Sequence, residues 1–81
     1  MKVVYTQRVH TTLDNLPNFL RDAFFKQIRF LGHDLWHPSL RAKKYNANTN
    51  LWQARVNKKW RFYFIIRDND YYVVDVIPHP K

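Results

Sequence analysis

Trp52-Gln53-Ala54-Arg55-Val56, Asn57-Lys58-Lys59 and Trp60-Arg61-Phe62-Tyr63-Phe64 follow one another without a break. Apolar and polar side chains alternate along both outer segments, and the segment between them is short and polar, which predicts an antiparallel hairpin. With Val56 opposite Trp60, Arg55 faces Arg61. Like charges opposed across a strand pair destabilise a sheet by up to about 1 kcal/mol, so the pair reads as a site whose natural occupant is negative. A phosphate is the simplest such occupant.

The surrounding charge supports an anionic partner. No acidic residue stands between Asp34 and Asp68, whereas that window holds Arg41, Lys43, Lys44, Arg55, Lys58, Lys59 and Arg61. Over the whole chain the formal net charge is +8, which points to nucleic acid, an acidic protein or an anionic surface as partner. All six acids are Asp, so the side chain most often used as a carboxylate general base is missing. Without Cys, disulfides, thiolate catalysis and Cys-based zinc sites are excluded. His33 and His37 flank Trp36, but two histidines with no Cys or Glu beside them do not make a zinc site, and neither a metal nor a cofactor is expected.

Outward from the hairpin, a period of two runs from Leu40 to the end, with strands expected at about 41–45, 51–56, 60–67 and 71–77. Before it, Leu20, Ala23, Phe24, Ile28 and Leu31 recur at helical spacing. Pro17 suits the first turn of that helix, and Gly32, the one glycine, suits a left-handed C-terminal position. Val3-Val4-Tyr5 favours a strand, and the polar stretch from Thr11 to Asn15 reads as one helical turn capped by Thr11 or Thr12. The expected architecture is a single α+β domain over residues 1–81: an N-terminal strand, a short helix and one longer helix packed on one face of a twisted antiparallel sheet. An aromatic content of 17% within 46% hydrophobic residues is enough for a packed core despite the small size.

Alternation assigns Trp52, Ala54, Val56, Trp60, Phe62, Phe64, Ile66, Tyr72, Val74 and Val76 to the helix-covered face. Gln53, Arg55, Arg61, Tyr63, Asp75, Ile77 and His79 fall on the other, which is the candidate site. Tyr63 is the candidate for stacking a base there. No apolar run is long enough to span a membrane and the N-terminus lacks the apolar core of a signal peptide, so a cytoplasmic protein with no membrane partner is expected.

Leu40-Arg41-Ala42-Lys43-Lys44-Tyr45, Trp52-Gln53-Ala54-Arg55-Val56 and Trp60-Arg61-Phe62 together resemble the pattern of the RelE/ParE toxin superfamily of bacterial toxin–antitoxin modules. The resemblance extends over nearly the whole chain, including Lys2-Val3-Val4-Tyr5, although its motifs are short. It implies a RelE-like fold and a type II toxin held by a cognate antitoxin that lies over the basic face. In the RelE branch the activity is metal-independent, ribosome-dependent cleavage of mRNA by attack of the ribose 2′-hydroxyl on the adjacent phosphate. The resemblance gives Arg61 the phosphate-stabilising role, Arg55 a second phosphate contact, and His79 proton transfer. Imidazole suits such a role because it titrates near neutrality. Arg41, Lys43, Lys44, Lys58, Lys59, Gln53 and Tyr63 are expected to contact RNA, in the ribosome or the message. Where some relatives use a Glu or a C-terminal Tyr this chain has neither. Asp75 either orients His79, neutralises Arg61 or forms an ion pair of purely structural value. Two alternatives stand beside this reading: a ParE-like toxin that poisons gyrase, and a basic RNA-binding module without catalysis.

Overall fold

The computed structural model describes residues 2–79. Its elements run β1 (Val3–Tyr5), α1 (Gln7–Asp14), α2 (Asn18–His33), β2 (Lys43–Asn46), β3 (Leu51–Arg55), β4 (Trp60–Arg67) and β5 (Asp70–Pro78). They form an α+β domain in which the five strands are ordered β1-β5-β4-β3-β2. Strands β2 to β5 make the expected antiparallel meander. The sheet as a whole is mixed, because β1 lies parallel to β5 with Val3 opposite Tyr71. The two helices between β1 and the meander supply the long crossover that a parallel pairing requires.

The apolar stripe of α2 behaves as its spacing predicts. Leu20, Phe24, Ile28 and Leu31 are buried in one cluster with Val9 and Leu13 of α1 and with Ala54, Val56, Phe62 and Phe64 of the sheet. Phe24 meets Phe62 edge-on with ring centroids 5.5 Å apart, an arrangement that suits the charge distribution of aromatic rings. The helix boundaries differ from expectation at two points. Helix α1 begins earlier, because Thr6 rather than Thr11 or Thr12 is its cap: the Thr6 hydroxyl accepts from Val9 N at 3.3 Å. Gly32 lies inside α2, which runs to His33, and it has no positive φ. The left-handed positions fall instead on Arg41, Asn50, Asp68 and Asn69. Asp68 and Asn69 form the two-residue β4–β5 turn, where both central residues need positive φ.

Two strands depart from simple alternation: β2, where the register shifts between Lys44 and Asn46, and β5. Tyr63 pairs with Asp75, but its neighbour Phe64 pairs with Val73, so Val74 is an extra residue bulged out of β5. Such a bulge reverses the facing of everything before it. The core therefore contains Tyr71 and Val73 and does not contain Tyr72 and Val74, the pair that alternation had placed there. Val76, beyond the bulge, faces the core as expected.

Candidate anion-binding site on the open sheet face

The register of the β3–β4 hairpin places Arg55 opposite Arg61, with Val56 N donating to Trp60 O at 3.0 Å. The connecting turn is closed by a side chain: Asn57 Oδ1 accepts from Lys59 N at 2.9 Å and from Trp60 N at 3.0 Å. Both guanidinium groups lean back on that turn. Arg61 Nη1 donates to the carbonyl oxygens of Asn57 at 2.7 Å and Trp60 at 3.0 Å, and Arg55 Nε donates to the same Asn57 oxygen at 3.3 Å. These contacts orient the pair without neutralising it. Among the described residues, Arg61 Nε and Nη2 and both Nη groups of Arg55 have no protein acceptor, so each planar fork keeps donors for a ligand. Burial lowers the Arg61 pKa from its ordinary value, and the nearby charges of Arg55 and then Arg41 lower it further. The nearby Tyr63 acts in the opposite sense. At neutral pH the group stays charged.

A cavity of about 250 Å³ gathers Arg41, Lys43, Gln53, Arg55, Arg61 and His79. Three separate segments build it: residues 41–43 at the start of β2, the hairpin, and His79 just past β5. His79 is held there by its backbone, since its N–H donates to Lys59 O at 2.6 Å and continues the β4–β5 pairing past Trp60 and Pro78. Arg41 enters through an unusual backbone. Its φ of 47° is rare outside glycine, asparagine and aspartate, and such strain costs of order 1–3 kcal/mol. Leu40 is fully buried and its carbonyl accepts from Arg55 N at 2.8 Å, so the chain is pinned to β3 one residue before it must turn.

Gln27 on α2 holds this corner together and was not singled out from the sequence. It is 4% exposed, and its Nε2 donates both to Ser39 O at 2.9 Å and to Arg55 O at 2.8 Å, while its Oε1 accepts from Ser39 Oγ at 3.0 Å. A buried amide with both ends satisfied fixes the spacing between the helix, the 38–41 segment and the end of β3. The only signal in the sequence is a polar residue one position from Ile28 on the apolar stripe.

The remaining predicted contacts separate. Lys58 and Lys59 line a neighbouring cavity that shares His79. Lys44 lies on the other side of the sheet, with its Nζ 5.9 Å from the ring centre of Trp52. Gln53 lines the cation cavity but is itself buried. Tyr63 shares the open face yet is only 7% exposed, because Tyr45 lies edge-on to it at 5.2 Å. Tyr45 is 59% exposed and is the accessible aromatic. Alternation from Lys43 gives it the same face, a signal available in the sequence but unused. Asp75 neither orients His79 nor neutralises Arg61. It pairs with Arg8 of α1 at 3.3 Å, which corrects two of the three roles considered for it and retains the structural one. His37 stacks on Phe30 at 3.9 Å and its Nδ1 accepts from Ser39 N at 3.1 Å, a packing role. Among the described residues no group of three or more His, Cys, Asp or Glu is placed to hold a metal ion.

The strand order and the two-helix crossover give a RelE-like fold, and several solved structures share it. One is the YoeB/ParE toxin from Agrobacterium tumefaciens, with a TM-score of 0.79 and 14% identity over 99% of this chain and 100% of that one. A second is RelE in the archaeal RelE–RelB complex from Pyrococcus horikoshii OT3, with a TM-score of 0.79 and 17% identity over 95% of this chain and 92% of that one. A third is the heterotetrameric YoeB–YefM toxin–antitoxin complex from Staphylococcus aureus, at 0.74 and 10%, covering 96% and 95%. At these identities the likeness is one of fold. No protein-family model matches the sequence, and no curated protein matches it.

Proposed function

We propose that this protein is the toxin of a type II toxin–antitoxin module and a metal-independent, ribosome-dependent mRNA endoribonuclease. One observation carries the proposal: Arg41, Arg55, Arg61 and His79 meet in a single cavity with no carboxylate among its lining residues. In the reaction the ribose 2′-oxygen bonds to the adjacent phosphorus and the P–O5′ bond breaks, leaving a 2′,3′-cyclic phosphate and a 5′-hydroxyl. Negative charge on the phosphoryl oxygens rises toward the transition state, and the opposed guanidinium groups of Arg55 and Arg61 stabilise it. The 2′-hydroxyl must lose a proton and the leaving 5′-oxygen must gain one. His79 carries one of these transfers. It is the only imidazole among the residues that line the cavity, so the other transfer falls to water or to the ribosome, which gives the ribosome a chemical part beyond holding the message.

The partners follow from the same surface. A cognate antitoxin lies over the basic face when the toxin is silent, a reading supported by the RelE–RelB and YoeB–YefM complexes among the structural neighbours. The test is induced expression followed by mapping of mRNA 5′ ends. New ends within translated codons, absent in an Arg61→Ala variant, are expected. Growth arrest with intact message would sink the nuclease reading and favour the gyrase-directed alternative; binding of RNA with neither effect would favour the non-catalytic module.

A further inference from the structure

A second cavity, of about 540 Å³, opens between α2 and the β3–β4 turn, on the other side of Arg41 and Arg55 from the first. Those two arginines line both cavities. Lys26 from α2 and Lys58 from the turn add two further cations, and no acid lines it. Among the described residues the one ion pair is Arg8–Asp75, so none of these four cations has a carboxylate partner. The cleft also has an apolar side, made by Ala23, Pro38 and Val56. Its width is set by the Gln27 amide, whose bonds to Ser39 and Arg55 tie the two walls together. The volume falls in the range of pockets that hold small ligands, about 300–1,000 Å³.

The geometry points to a subsite for a nucleotide that neighbours the scissile one on the same single strand. Its phosphate lies among Arg41, Arg55, Lys26 and Lys58, and its base rests against the apolar side. The shared arginines bridge consecutive phosphates, which gives the strand a direction of travel from the open sheet face around the hairpin end toward α2. This inference rests on the single-stranded RNA substrate proposed above, and it names where that substrate extends.

Binding of 2′-O-methyl oligonucleotides of two to six residues tests it, because they lack the attacking hydroxyl and report binding apart from cleavage. Affinity is expected to rise by about fivefold or more at the length that reaches the cleft, the scale of burying part of one base face on apolar side chains. The dependence of log K on log salt should steepen there by about 0.7 per added phosphate. Lys26→Glu, on an exposed helix position that leaves the fold intact by thermal melt, should erase that increment and leave dinucleotide binding as in the parent. Equal binding of every length by parent and Lys26→Glu overturns the subsite even if mRNA is cleaved. A free nucleoside monophosphate that competes for the cleft as strongly as the extended strand overturns its assignment to the strand. Loss of cleavage with the length increment retained would instead overturn the nuclease reading and leave the subsite standing.

Discussion

The two ends of the open sheet face treat charge in opposite ways. At one end Arg8 and Asp75 pair at 3.3 Å, and cation and anion cancel. At the other, Arg55 and Arg61 stand opposed in register, with Arg41, Lys43 and His79 lining the same cavity and no carboxylate among them. A sheet has no need of the second arrangement, which raises its energy. That opposed pair is the basis of the anion site proposed above.

The comparison breaks most sharply at Arg61. Arg61→Ala is expected to lower cleavage by about 10²–10³-fold, the scale for losing one preorganised donor to a developing oxyanion. Thermal melts should show little loss of stability, since a partly exposed cation facing another cation contributes little to folding. If the variant unfolds, the residue is structural. If it stays folded and active, the cationic end is not where the chemistry occurs.

His79→Ala is expected to slow single-turnover cleavage by about 10²-fold, with binding to ribosomes unchanged. Equal rates for variant and parent would move the proton transfer entirely to water or the ribosome. Gln27→Leu removes a buried amide and leaves the carbonyls of Ser39 and Arg55 without their donor, a loss of about 1–3 kcal/mol by chemical denaturation. Because the amide ties the 38–41 segment to the end of β3, short-oligonucleotide affinity should fall as well, and Gln27→Glu should restore less of it than stability alone predicts.

The smallest effects separate the two ends directly. Arg8→Ala breaks an exposed pair and should change stability by no more than about 0.5 kcal/mol, with cleavage unaffected. Inorganic phosphate should raise the melting temperature of the parent, because an anion bound to the folded state alone stabilises it and relieves the Arg55–Arg61 repulsion. The rise should persist in Arg8→Ala and shrink in Arg61→Ala. An equal rise in all three would assign the effect to general salt screening.

Local rules carried much of this molecule. Helical spacing identified the α2 stripe, and the near-symmetric hairpin sequence predicted the facing arginines, because strand register follows from turn length when one face must be buried. Those rules failed at the Val74 bulge, where one added residue in β5 exchanged the facing of Tyr71 and Val73 with that of Tyr72 and Val74. They also failed at Tyr63, since strand parity reports a face but not what lies over it, and Tyr45 from a neighbouring strand does.

By itself the sequence determined the element types, the helix-facing stripe and the opposed arginines, all of which depend on periodicity and on contacts close along the chain. Only the tertiary structure decided which cations share a cavity and which aromatic is accessible. Arg41, Arg55 and His79 come from segments far apart in sequence, and their meeting depends on Leu40 being buried, on Gln27 bridging helix to strand and on β5 continuing its pairing to Lys59 O. Each is a long-range contact selected by packing of the whole domain, and no local pattern of residues encodes it.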